Sequence, residues 1–193
     1  KCVKLTVKGI KKDKTIIELF YIKTKAEFEL SLIVPQKEGK TNWAKECTKS
    51  AIKSKAKDSD KEFVKKYSVL FDKIAKQNNQ IALDIFNQAK YGKALPYYKN
   101  SYDLTGDTLA YGMIGICHWF NKNEGEALKI MQKVALWNFE AHEDKLHSST
   151  YIVQAFEILA SYYNKRNQSD SSLRYTEMGL EIFTHNVSLL KNE

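Results

Sequence analysis

The chain has 193 residues, 31 basic against 23 acidic side chains for a formal charge of +8, 43% hydrophobic residues, and only eight glycines and two prolines. That balance excludes a disordered or collagen-like chain, and so few turn formers argue against a sandwich or barrel. A mainly α protein is expected, α+β overall because of how the chain begins.

At the start, Leu5 and Val7 alternate with polar neighbours, residues 15–22 are rich in β-branched and aromatic side chains, and Phe28, Leu30, Leu32 and Val34 repeat with a period of two. This predicts three short antiparallel strands ending at Pro35, turns near residues 11–14 and 23–26, Glu18 on an outer strand face, and one apolar face laid on the following helices. After a loop at 36–41, Trp43, Ala44, Cys47, Ala51 and Ile52 fit one face of a helix. A break near Lys57 follows. Ser59 with Glu62 reads as a capping box opening a second helix, whose buried stripe is Phe63, Tyr67, Leu70 and Ile74.

Residues 1–77 hold 20 lysines against 10 carboxylates, and residues 78–193 hold 11 basic against 13 acidic side chains. The composition therefore predicts a basic segment over 1–77 and a second domain over 78–193. Lys45, Lys49, Lys53, Lys57, Lys61 and Lys65 recur every four residues, a slowly winding basic ridge partly neutralised by Glu46, Asp58, Asp60 and Glu62. Charge runs usually solvate, and the first reading is a solvated face. The alternative is an electrostatic binder of nucleic acid or an acidic surface through residues 45–66. The two arginines, Arg166 and Arg174, lie outside this segment, so the bidentate fork used for base and phosphate recognition is absent from it.

The second region repeats itself. Ala82 and Gly115 are 33 residues apart, as are Ala94 and Ala127; Ala160 and Ser172 then follow Gly115 and Ala127 by 45 each. Two landmarks that shift in step imply three helix-turn-helix units, with about twelve residues inserted near 135–150 between the second and third. This resembles the tetratricopeptide repeat (TPR), a unit of about 34 residues in which small side chains mark the close crossing of the two helices. Tyr91 fits the aromatic that opens the second helix of a unit, Tyr97, Tyr98 and Ser101 fit its packing face, and Tyr111 fits the large residue opening the next unit. The resemblance covers residues 76–183, and the tail, with Val187, Leu189 and Leu190, is expected to form a capping helix.

The resemblance implies a concave surface lined by the first helix of each unit. Carried over by position, its partner-binding residues are Asn79, Leu83, Phe86 and Asn87, then Leu109, Ile116, Trp119 and Phe120, then Glu157 and Asn164. Such a groove is apolar and aromatic at its centre and suits a hydrophobic peptide, an amphipathic helix or a protein partner. The opposing reading is that these aromatics are ordinary core.

Other chemistry finds little support. His142 and His147 are five apart, about 140° around a helix, whereas a zinc-peptidase helix needs them four apart. There is no nucleophile elbow and no Gly-rich phosphate loop. Cys2, Cys47 and Cys117 are too scattered for a disulfide framework or metal site and are expected as free thiols. No catalysis, metal or cofactor is expected, nor a transmembrane segment, and a cytoplasmic setting is favoured with a processed or exported form left open. The functional expectation is a non-enzymatic adaptor or assembly factor that binds another protein.

Overall fold

A computed structural model describes residues 2–12, 16–35, 41–140, 150–183 and 189. Among these residues ten helices occur and no strand: α1 Cys2–Lys12, α2 Ile17–Ile33, α3 Trp43–Lys57, α4 Glu62–Lys66, α5 Ser68–Phe86, α6 Tyr91–Thr105, α7 Thr108–Phe120, α8 Glu124–Glu140, α9 Thr150–Asn164 and α10 Ser169–Ile182. They divide into two compact units, the first comprising Lys1–Leu83 with Asn100–Gly106 and the second Asp84–Lys99 with Asp107–Glu193. In the later part the expected helical hairpins are present, α7 on α8 and α9 on α10.

The expected β element is not. Residues 2–12 and 17–33 are helices packed on one another, so the described residues are α rather than α+β. The period-two reading failed because two polar residues occupy the buried stripe of α2. Its buried positions are Phe20, Tyr21, Thr24, Glu27 and Phe28, a helical spacing of i, i+4 and i+7. Thr24 and Glu27 hide that period from any count of apolar residues. Leu32, Ile33 and Val34, at 60%, 73% and 41% exposure, supply the false alternation. Glu18 lies in the first turn of α2 and pairs with Lys66 at 3.1 Å. The turn expected at 23–26 is the middle of that helix.

The first unit is held by α2, α3 and α5 around Tyr21, Phe28, Cys47, Ala51, Phe71, Ile74, Ala75 and Leu104. Tyr21 stacks on Tyr67 and Phe63 at centroid distances of 4.9 and 5.6 Å. Its hydroxyl donates to Asp58 Oδ2 at 3.1 Å, and the same oxygen accepts from the Val64 backbone N–H at 2.7 Å. Burial, then the hydrogen bond and charge of Asp58, push the Tyr21 hydroxyl far above the ordinary phenol range. Asp58 therefore does the work that the sequence assigned to Ser59, whose hydroxyl turns to Asp60 at 3.1 Å. Polar pairs also cross between helices. Lys23 reaches both Glu27 and Ser50, Thr24 meets Ser54 at 3.2 Å, and Asn78 donates to Thr48 at 2.9 Å.

The second unit is built differently. Gly115 lets α7 lie on α8 so closely that a Cβ there would sit 2.9 Å from Ile130 Cγ2 and 3.4 Å from Met131 Cγ. Ala127 is fully buried. In the next hairpin Ser172 Oγ donates to the Ala160 carbonyl at 2.9 Å across α9 and α10. α9 packs against α7 as well as α8, so the hairpins stack. Ala82 and Ala94 are both fully buried, in the first and second unit respectively. The inserted segment partly extends α8, which runs to Glu140. His142 and His147 lie outside the described residues, as do Val187 and Leu190 of the expected capping helix. Leu189 is described and buried, and the Cβ position of Gly179 is 2.7 Å from its Cδ1.

Candidate functional site

Three turns of one construction organise the second unit. Ala89, Lys122 and Asn167 each have a left-handed backbone, with φ of 56°, 61° and 56°. Each donates its N–H three residues back: to Phe86 at 2.8 Å, to Trp119 at 2.9 Å and to Asn164 at 2.9 Å. The next residues, Lys90, Asn123 and Gln168, each donate five back, to Ile85, His118 and Tyr163 at 3.3, 2.9 and 3.0 Å. These bonds satisfy carbonyls that a helix end otherwise leaves unpaired. The turn residues are offset by 33 and 45, the same steps as the small-residue landmarks. The backbone thus repeats with the period the side chains show.

This register places Phe86, Trp119 and Asn164 at one equivalent position, and Asn87, Phe120 and Lys165 at the next. Aromatic rings gather there. Phe86 meets Tyr91 edge-on at 5.0 Å and Phe120 at 6.1 Å, while Tyr91 stacks on Phe120 at 4.6 Å. Trp119, beside Phe120 in the chain, meets Tyr162 at 6.2 Å; contacts then continue to Tyr163 at 5.3 Å and to Tyr175 at 5.6 Å. The Arg166 guanidinium lies 3.8 Å over the Tyr162 ring and pairs with Glu124 at 3.1 Å. Gln132 donates to the Tyr163 hydroxyl at 2.6 Å. Burial, followed by the charge of Tyr163, raises the Tyr175 hydroxyl above its ordinary range. Phe120 keeps 48% of its surface exposed although two other rings touch it.

The expected partner-binding residues are distributed unevenly. Asn79 and Leu83 are half-buried on α5 in the first unit. The other eight belong to the second unit. Phe86, Leu109, Trp119 and Glu157 are half-buried, Asn87, Phe120 and Asn164 are exposed, and Ile116, at 1% exposure, is core. The structure brings Phe86 and Phe120 together with Tyr91, and joins Trp119 to Tyr162. Tyr162, Tyr163, Tyr175, Arg166 and Gln132 were not among the expected site residues. The tandem Tyr162-Tyr163 was the available signal, but the carried-over positions of the third unit fell on Glu157 and Asn164 to either side of it.

Of the basic segment, Lys45, Lys49, Lys53, Lys57, Lys61 and Lys65 are all exposed in the first unit. Cys47 and Cys117 are buried free thiols and Cys2 an exposed one. Burial lifts the Cys47 and Cys117 thiols to about 11 and about 12. Among the described residues no helix is long and apolar enough to cross a membrane.

No family model and no curated protein matches this sequence. Among solved structures the chain is similar to the crystal structure of YrrB, a TPR protein with an unusual peptide-binding site, at 17% identity over 96% of each chain and a TM-score of 0.47.

Proposed function

We propose that the protein is a non-enzymatic interaction module, an adaptor or assembly factor, that holds a hydrophobic peptide or helix on the aromatic surface of its second unit. The observation that carries this is the ring group Phe86, Tyr91 and Phe120, which leaves Phe120 48% exposed. A large apolar ring held by two neighbours and still half open to water is costly unless something covers it. It is also pre-ordered by its ring contacts, so little side-chain freedom is lost when a partner arrives. Trp119 and Tyr162 continue the surface, with Asn87 and Asn164 as exposed polar groups able to bond a peptide backbone.

The test compares Phe120→Ala and Trp119→Ala with the wild-type protein. A partner recovered by affinity capture and then made as a purified peptide should bind each variant more than tenfold more weakly, since truncated aromatic anchors commonly cost ~2 kcal/mol or more. The melting temperature should fall only slightly for Phe120→Ala, whose ring is half exposed. Equal affinity in both variants would place the partner elsewhere.

A further inference from the structure

The sequence presents the lysine ridge as half neutralised by interleaved acids. The fold removes one of those acids from the surface and ties a second to a lysine. Asp58 is 6% exposed and committed to the Tyr21 hydroxyl and the Val64 N–H. Glu46 is half-buried and holds Lys49 at 3.0 Å. The fully exposed positions of α3 are Lys45, Lys49, Lys53, Ala56 and Lys57, with the Glu46 side chain 39% exposed beside them. Among the described residues Lys45, Lys53 and Lys57 make no ion pair. Lys53 and Lys57 are nevertheless placed: their ammonium groups lie 5.9 and 5.2 Å from the centre of the Phe20 ring, a contact that aligns the long stems along α2 and α3. Steps of four residues put successive lysines about 6 Å apart along the axis with a drift of about 40°.

From this geometry we infer that α3 is a docking ridge for double-helical nucleic acid, held through its phosphates without reading bases. A regular line of four cations, three of them without an ion pair, complements a polymer of regularly spaced anions. The exposed positions of α3 include no aromatic on which single-stranded bases would stack. They include no large apolar side chain to sink into a bilayer. Both arginines lie in the second unit, so the bidentate contact to guanine is missing from this face. The ridge is in the first unit and the aromatic surface in the second.

The experiment measures fluorescence anisotropy of a labelled 20-base-pair duplex with the full chain from 50 to 200 mM salt. Four phosphate contacts predict that affinity falls by roughly a hundredfold across that range. In Lys45→Gln/Lys53→Gln/Lys57→Gln the salt dependence should shrink to a few-fold, because a slope of about 0.9 is lost per contact. The melting temperature should stay unchanged. Lys93→Gln/Lys99→Gln/Lys129→Gln, an equal charge change on exposed lysines of the second unit, should keep the wild-type slope. The inference is overturned if the two triple variants behave alike or the duplex does not bind. It is equally overturned if polyglutamate or phosphatidylserine-rich vesicles bind through the same lysines while the duplex does not.

Discussion

The two units reach a buried core by opposite means. In the second, small residues let helices approach, and the crossings are apolar: Gly115 on Ile130 and Met131, Ala127 fully buried, one hydroxyl at Ala160 and Ser172. In the first, polar pairs join the helices around an apolar core: Lys23, paired with Glu27 in its own helix, reaches Ser50, Thr24 meets Ser54, Asn78 bonds Thr48, and Tyr21 bonds Asp58. The lesson concerns where stability is exposed to mutation. A crossing of small residues tolerates loss and fails when something is added. A polar seam tolerates additions at its rim and fails when one partner is taken away.

The largest expected effect breaks the polar seam. Glu27 has a 4% exposed side chain, and its Oε2 has no hydrogen-bond partner among the described residues, so Lys23 is its main compensation. Lys23→Ala should cost about 3 kcal/mol or more by stranding a buried carboxylate. Lys23→Met with Glu27→Leu should recover most of that loss, since an apolar pair of similar volume does not leave a charge behind. Urea unfolding midpoints of the three proteins check this. A single and a double variant of equal stability would mean that the seam contributes nothing.

Next is the apolar crossing. Gly115→Leu drives a side chain into Ile130 and should destabilise by ~1–3 kcal/mol. Gly115→Ala should lie between it and the wild type, as the Ile130 methyl gives way. A melting curve unmoved by leucine would remove the close approach.

Smaller and opposite in sign is relief of the turns. Ala89 and Lys122 hold a left-handed conformation that costs an L-residue about 1 kcal/mol. Ala89→Gly and Lys122→Gly should each stabilise by a few tenths to ~1 kcal/mol, less the unfolded-state entropy that glycine adds. Asn167, of a type that adopts this conformation more readily, should gain least on the same change.

The smallest effect sharpens a point the two units share. Cys47 and Cys117, one in each, are thiols whose burial raises them from 9.0 to about 11 and about 12. Their folded forms hold the proton after the unfolded chain has begun to release it. Their contribution is therefore complete below pH 9 and is lost as pH climbs from there toward 11 and 12. Comparing urea midpoints at pH 8 and pH 10.5 for the wild type and Cys117→Ala should show a shallower alkaline decline in the variant. A thiol reagent at pH 8 should modify Cys2 quickly and the other two only on unfolding.

Legibility in the sequence followed the same divide. Repetition gave away the second unit, because the paired steps of 33 and 45 survive any ambiguity about single residues. Even its turns obey them, although nothing in the chemistry of Ala89 or Lys122 announces a left-handed backbone. The first unit misled because its buried stripe carries Thr24 and Glu27, and because exposed Leu32 to Val34 imitate a strand. Asp58 was invisible as a cap for the same reason: it reads as one more surface charge until Tyr21 is found facing it. At the candidate surface, position along the repeat named Phe86, Trp119 and Phe120, which the structure places in ring contacts. It did not name Tyr162 and Arg166, whose contacts depend on which neighbouring helix they face.

The three matched turns also act as a ruler. Phe86 to Tyr91 and Asn164 to Ser169 span one distance along the chain, and Trp119 to Glu124 the same, while the twelve extra residues come after the second of these turns, partly lengthening α8 to Glu140. Length is thus fixed across each turn and adjustable beyond it. One residue added inside a turn rotates the following helix by about 100° and carries every inward side chain off its face. A graft of many residues between α8 and α9 asks for no such rotation, which makes that junction the place where this scaffold can take up new sequence without rebuilding its core.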